Sequence, residues 1–420
     1  MDNSVQSAEN FSLADMMKLT DRPMVERIAF FNQYSAEVYA KQEILYRRKI
    51  IRNNGRLVVV EDPYSHKHQK MLMFGSNNYL GIANHPEVSQ RTAELTKDVG
   101  LGLGGPPLLN GHSWLHHDLE KKLAKLKNKE DSMIFSSGFL TNFGLGATLF
   151  NRKSVVIFDE YSHASFIDGM IMARTRFKSF KHNDIEDLKK CLTEVSAKYH
   201  DIFVATEGVF SMDGDIGILD QIIELKNEFS FILIADDAHG LGVIGENGHG
   251  VHEHFHTDGI DIIMGTFSKT LAATGGFIAA SSEIINYMRF MCRTYMFSAA
   301  LPPAVIAMVL AGLEIIEKEP WRTKKLKENT ANLIGQLNKA GIKTHSESAI
   351  VTIMIPENIQ IRKLCKSIHD KGIFLNAVEY PAVPVELQRL RISLMADHTE
   401  ADITKLVGIL TECFQEQMRG

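Results

Sequence analysis

Three short segments carry residue types that suit carbonyl chemistry when brought together. The first is Gly265-Thr266-Phe267-Ser268-Lys269-Thr270, which follows an apolar run at residues 260–264. That run reads as a buried strand, so Lys269 is expected to point into a crevice at the strand end. Desolvation there lowers a lysine's pKa and favours a Schiff base with an aldehyde. Thr266 and Ser268 add hydroxyls suited to a phosphate. The second is Asp236-Asp237-Ala238-His239-Gly240, after the apolar run 231–235. A carboxylate at a buried strand end is costly unless it meets a cation. The third is Ser136-Ser137-Gly138-Phe139-Leu140-Thr141-Asn142, which enters a helix. Serines and glycine at a helix N-terminus present free N–H groups to a phosphate, and Phe139 is placed to flank a ring.

Each segment alone has a plainer reading: a surface lysine, a salt bridge or helix cap, a simple N-cap. Together they supply what pyridoxal 5'-phosphate (PLP) requires. Ser137 and Gly138 cradle its phosphate, Asp236 pairs with the pyridinium N–H, and Lys269 takes the aldehyde. A protonated ring nitrogen lets the ring accept electrons from a substrate carbanion.

The elements needed to position these residues are also legible. Between about residues 71 and 280, short apolar runs (154–158, 202–205, 231–235, 260–264) alternate with helical stretches such as 184–198 and 219–229. This predicts an α/β fold, with a mostly parallel sheet flanked by helices. After Pro303 the pattern changes to long helices, 304–318 and 324–340, then short strands at 349–355 and 389–394, then a helix at 400–417. The expected division is an N-terminal arm (1–70) containing a helix, a large cofactor-binding domain (71–303) and a smaller α+β domain (304–420).

Other readings are weaker. Gly100-Leu101-Gly102-Leu103-Gly104-Gly105 fits G-x-G-x-x-G, with Glu120 downstream. However, a helical segment, 87–97, precedes it and Pro106-Pro107 follows, so the strand–turn–helix context of a dinucleotide site fails. His249, His252, His254 and His256 crowd a glycine-rich segment but share it with no ligand set of metal-site spacing, so no metal is expected. His112 and His116 read as structural, and Arg47-Arg48-Lys49 as a solvated helix face. The four cysteines are far apart and read as reduced, buried thiols.

A net charge of -5 shows no nucleic-acid signature. The start, Met1-Asp2-Asn3-Ser4-Val5, has no basic region leading into an apolar core. The longest apolar run, 299–313, contains Pro302-Pro303 and falls short of the roughly 20 residues that span a bilayer. A cytoplasmic protein is expected, with room left for peripheral contact at the inner membrane.

The motifs also carry a family resemblance. Asn77-Asn78-Tyr79-Leu80-Gly81, Leu109-Asn110-Gly111, His116-His117-Asp118-Leu119-Glu120 and Asp159-Glu160-Tyr161-Ser162-His163-Ala164-Ser165 stand in the chain order of the α-oxoamine synthases, a branch of fold-type I PLP enzymes. So do Glu207-Gly208-Val209-Phe210-Ser211-Met212-Asp213-Gly214, the Asp236 and Lys269 segments, Phe297-Ser298-Ala299-Ala300-Leu301-Pro302-Pro303 and Leu390-Arg391-Ile392-Ser393. Within that family, Phe267-Ser268 resembles the serine palmitoyltransferase pattern, where other members more often carry Leu-Gly.

The resemblance implies specific roles. His163 stacks on the ring, Asp236 pairs with its nitrogen, and His239 bonds its phenolic oxygen. Ser137, Gly138, Phe139, Thr266 and Ser268 line the phosphate or ring. Ser298 reaches the phosphate of a neighbouring subunit, since family members build the site across a homodimer. Arg391 clamps the substrate carboxylate, and Asn77 or Asn78 supports the substrate from the partner chain. The implied reaction joins L-serine to a long acyl-CoA and releases CoA and CO2. Lys269 removes the Cα proton, and the product is 3-ketodihydrosphingosine.

Two departures bear on this. Gly105-Pro106-Pro107 stands where many relatives have Gly-Ser-Arg or Gly-Thr-Arg, so any contact made by that arginine is missing. Asp237 stands where relatives often have glutamate. A synthase using glycine, alanine or cysteate, and a non-catalytic partner subunit, stay open as alternatives.

Overall fold

The computed structural model describes residues 19–419 apart from 44, 345, 357 and 381. After the helix Met24–Ala40 come three strands, β1 (Ile50–Asn54), β2 (Leu57–Glu61) and β3 (His68–Met73). A two-residue turn joins β1 to β2, and Gly55 takes the positive φ of 70° that such a turn favours. The sequence offered little sign of β1, whose five residues are all exposed. The position expected to end the arm lies within β3, which pairs in parallel with β12 (Ile373–Phe374) far along the chain. The arm's second half therefore shares a sheet with a C-terminal strand. Arg47-Arg48-Lys49 lies beyond the end of the helix rather than on its face. Arg48 Nη1 donates to His369 Nδ1 at 2.8 Å, and Lys49 pairs with Glu61.

The central sheet has seven strands. In chain order they are β4 (Asp131–Phe135), β5 (Val155–Asp159), β6 (Arg176–Phe180), β7 (Ile202–Glu207), β8 (Ile232–Asp236), β9 (Ile262–Thr266) and β10 (Gly276–Ala280). Their spatial order is β4-β10-β9-β8-β7-β5-β6. Only β10 runs against its neighbours. The strand cores are continuous apolar runs because both faces are covered. Along β8, Leu233 and Ala235 enter one hydrophobic core and Ile234 the other. The edge strand β6 escaped the periodicity reading because most of its residues face solvent, and β10, although buried throughout, follows the pair Gly275-Gly276 and offers only four apolar residues.

The buried helix Pro303–Lys318 accounts for the long apolar run. Among the described residues, no helix is long and apolar enough to cross a membrane. A three-stranded antiparallel sheet follows, ordered β11 (Ile350–Met354), β14 (Arg389–Ser393), β13 (Asn376–Val378). The helix Ile361–Asp370 packs on it, and the helix Glu400–Arg419 packs on that helix in turn. All four cysteines are buried and unpaired.

Candidate active site

Strands β4, β5, β7, β8 and β9 run the same way, so their C-terminal ends line one edge of the sheet. The chain leaves that edge at Ser136, His163, Glu207, Asp236 and Thr266–Lys269. This is where an α/β sheet places its ligands.

The first contributor is a helix entry. Ser137 caps Gly138–Leu149, its Oγ accepting the Leu140 N–H at 3.1 Å. Thr141 N–H goes to the Ser137 carbonyl, which leaves the N–H groups of Gly138 and Phe139 directed out of the helix end. A Cβ on Gly138 would sit 2.7 Å from Thr266 Oγ1. Only glycine lets the helix end and the β9 end approach this closely. Thr266 Oγ1 donates to the Gly275 carbonyl at 2.9 Å and lies 2.9 Å from Ser268 Oγ. The result is a small hydroxyl-and-amide cradle fit for a phosphate, with Phe139 half-exposed beside it.

The carboxylate side centres on Asp236. Its Oδ1 accepts from Ala238 N–H at 3.0 Å and its Oδ2 from Asn142 Nδ2 at 2.7 Å. Both hydrogen bonds hold the carboxylate in a fixed orientation. Asp237 turns the other way, to Lys127. Across the ladder from Asp236 sits Glu207, fully buried. Its Oε1 accepts the His163 N–H at 2.7 Å. Burial, reinforced by Asp236, raises the Glu207 pKa well above its usual range.

His163 caps the helix Ala164–Ala173, and its Nδ1 accepts the Ser165 N–H at 3.2 Å. A nitrogen that accepts carries no proton, so the ring proton of neutral His163 is on Nε2. His239 is buried, and its Nδ1 lies 2.7 Å from Tyr79 Oη. Burial first, then Lys269 and Arg391, hold its pKa well below the usual histidine value.

Lys269 follows β9 in a half-buried bend. Desolvation, then Arg391, lower its pKa to about 8, against opposing pulls from Asp236 and Glu207. Phe267 is fully buried against Phe277, ring centroids 5.8 Å apart, and this anchors the bend from below.

Arg391 projects from β14. Its Nε donates to the Ser211 carbonyl at 2.7 Å, and its Nη1 to Asn77 Oδ1 at 3.0 Å and Ser393 Oγ at 2.8 Å. Among the described residues Nη2 has no hydrogen bond, which leaves one arm of the fork for a carboxylate. The two asparagines separate here. Asn77 accepts a hydrogen bond from Arg391 of its own chain. Asn78 Oδ1 accepts the Ala83 N–H at 3.3 Å within its own turn. Ser298 is half-buried after the helix Arg293–Met296, and no hydrogen bond joins it to this chain's own cradle.

Tyr79, Asn142, Ser165 and Glu207 stood inside the quoted motifs without a site role. Their signal was position: strand ends or helix entries beside the residues chosen. Lys127, far off in sequence, gave none.

The competing patterns resolve structurally. The Gly100–Gly105 stretch is a loop without a preceding strand. His116 closes a capping box with Ser113 and bonds the Leu301 carbonyl through Nε2 at 2.8 Å. Among the described residues no group of three or more His, Cys, Asp or Glu is arranged to hold a metal.

Known proteins are similar to this chain in sequence and in fold. Residues 69–410 match the family "Aminotransferase class I and II". The chain is 38% identical over 393 residues to a serine palmitoyltransferase of Sphingobacterium spiritivorum, covering 93% of this chain and 96% of that one. It is 36% identical over 354 residues to an 8-amino-7-oxononanoate synthase of Thermoanaerobacter pseudethanolicus, covering 83% and 90%. Among solved structures, a serine palmitoyltransferase from S. paucimobilis with bound PLP superposes with a TM-score of 0.88 at 27% identity, covering 95% of this chain and 100% of that one. The chain thus belongs to the class I and II aminotransferase family, as a PLP-dependent fold-type I enzyme of the α-oxoamine synthase type.

Proposed function

We propose that this protein condenses L-serine with a long-chain acyl-CoA such as palmitoyl-CoA, releasing CoA and CO2, to give 3-ketodihydrosphingosine. The reaction opens sphingolipid synthesis. The observation that carries this reading is the convergence of Lys269, Asp236, His239 and Arg391 on one sheet edge, next to the Phe267-Ser268 pair. The relative from S. spiritivorum supports the serine and acyl-CoA assignment.

When bound, PLP supplies an electron sink conjugated to the substrate Cα. The rest falls to the chain. Gly138, Phe139, Thr266 and Ser268 hold the phosphate, and Ser298 of a second copy in a homodimer completes that cradle. Asp236, fixed in place by Asn142, would keep a proton on the ring nitrogen. Tyr79 donates to His239 Nδ1, so His239 Nε2–H is free to donate to the phenolic oxygen. Tyr79 Oη also lies 3.2 Å from Asn77 Oδ1, but that oxygen already accepts from Arg391 and Ser393, so the shorter 2.7 Å contact to His239 Nδ1 is the one assigned the Tyr79 proton.

Arg391 grips the serine carboxylate. Lys269, with a pKa near 8, is a base of suitable strength to take the Cα proton at neutral pH. His163 would cover the ring face, with its Nε2–H left for the substrate. The Cα then attacks the thioester carbon, the C–S bond breaks and CoA leaves as a thiolate that takes a proton from solvent; the carboxylate departs as CO2, and the proton held by Lys269 returns to Cα in its place.

A second reading, favoured by the 8-amino-7-oxononanoate synthase relatives, is a related synthase that uses glycine, alanine or cysteate. Purified protein loaded with PLP decides between them. L-serine, glycine, L-alanine and cysteate are each offered with palmitoyl-CoA, thiol release is followed, and the products are weighed by mass spectrometry. Serine giving the highest kcat/KM is expected. Alanine with a shorter acyl donor outpacing it would replace the proposal, and no turnover with any pair would point to a non-catalytic subunit.

A further inference from the structure

Asn142 is a buried amide with an asymmetric environment. Its Nδ2 donates to Asp236 Oδ2 at 2.7 Å and to Ser165 Oγ at 3.1 Å, while its Oδ1 is buried without a partner. A buried amide oxygen left unpaired costs free energy. Turning the amide over would press that oxygen against the Asp236 carboxylate, so the orientation is set by the two donated bonds. Ser165 is equally buried, and its Oγ lies 2.7 Å from His163 Nδ1. Because Nδ1 already accepts the Ser165 N–H, the Ser165 hydroxyl proton must also be directed to it. The donors thus run outward from Asn142, to Asp236 on one side and through Ser165 to His163 on the other.

We propose that Asn142 and Ser165 are positioning residues for the cofactor ring. One hydrogen-bonded chain sets the carboxylate that meets the ring nitrogen and the plane of the histidine that covers the ring face. It joins three elements, the helices Gly138–Leu149 and Ala164–Ala173 and strand β8. The two contacts on the ring are then adjusted as a unit, and neither residue touches substrate. This rests on the PLP site described above.

The test uses the full chain stripped of PLP and titrated with it, as wild type, Asn142→Ala, Ser165→Ala and the double variant. Leu192→Ala, in the helix Ile185–Ser196, serves as a destabilised control. PLP affinity is read by equilibrium titration, and the near-visible absorbance of the loaded protein is followed against pH. Asn142→Ala is expected to weaken PLP binding roughly tenfold, and Ser165→Ala about threefold. The double variant is expected to be no weaker than Asn142→Ala alone, as for residues acting in one network. Both single variants shift the absorbance–pH curve, and Leu192→Ala leaves it in place. Additive losses in the double variant, or curves coincident with wild type, overturn the chain. If Asn142→Ala does not fold, the curve of Ser165→Ala decides alone. Wild-type protein that binds no PLP would instead overturn the site reading beneath it.

Discussion

Lys127 Nζ lies 2.7 Å from Oδ2 of Asp237, and both side chains are fully buried. The ammonium also donates to the His249 carbonyl, and Asp237 Oδ1 accepts the Val251 N–H at 3.2 Å. Burial raises the Asp237 pKa, and Lys127 opposes that rise. The pair sits directly behind Asp236 and pins the turn that leads to His239. Gly250, with φ of 91°, packs so closely that a Cβ would meet the Asp237 carboxylate. This crowding leaves room for an aspartate side chain at this position and none for a longer one.

Removing one partner of such a pair strands a buried charge. Lys127→Met is expected to destabilise the fold by about 3–5 kcal/mol. Urea unfolding monitored by circular dichroism measures it. A loss within about 0.5 kcal/mol, the range of an ordinary surface change, would show that the pair carries little.

Lys269 sets a pH dependence for cofactor attachment. Only the free amine attacks an aldehyde, and its pKa is lowered to about 8 from the ordinary 10.5. Attachment of PLP to the cofactor-free protein is expected to quicken with rising pH and level off a little above 8. Stopped-flow absorbance from pH 6.5 to 10.5 reads the curve. A rate still climbing steeply towards 10.5 contradicts the lowered value.

Arg391 and the two asparagines make a paired prediction. Asn77→Ala frees a guanidinium arm from its orienting acceptor and raises the serine KM, by roughly tenfold for a lost orienting contact. Asn78→Ala removes only a turn bond, so it lowers thermal stability without a comparable KM change. Arg391→Lys loses the planar fork and raises KM further. Steady-state kinetics at saturating acyl-CoA separates the three. Equal KM changes for Asn77→Ala and Asn78→Ala would refute the division of labour.

Tyr79→Phe tests the direction of the proton at His239. With no hydroxyl donor, Nδ1 no longer favours the tautomer that keeps Nε2–H. A fall in kcat/KM of roughly 10–100-fold is expected, with PLP still bound. Unchanged kinetics would remove Tyr79 from the site.

A stability change with pH follows from His182. Its Nδ1 lies 2.9 Å from Asp159 and its Nε2 2.6 Å from Asp215. Burial opposes protonation, but the two carboxylates together raise its pKa from 6.5 to about 10. A raised folded-state value stabilises fully below the unfolded value, so the contribution is intact below 6.5 and lost as pH climbs through about 10. The stability gap between wild type and His182→Gln should therefore narrow over that interval. Urea unfolding at several pH values would show it, and a gap that widens with pH has the wrong sign.

What the sequence determined by itself was local chemistry and its order. Lys269, Asp236 and Ser137-Gly138 each follow or cap a recognisable element, so their types and spacing pointed to the cofactor, while His163 came from the family resemblance. The apolar runs announced a parallel sheet, because strands covered on both faces need no polar alternation. Pairings between distant segments needed the tertiary structure. Lys127 on Asp237, Tyr79 on His239, Asn77 on Arg391 and Asn142 between Asp236 and Ser165 each join groups from separate elements. A hydrogen bond depends on two atoms arriving within about 3 Å. Residue type and spacing along the chain do not encode that distance when the partners are brought together by the folding of separate strands and helices.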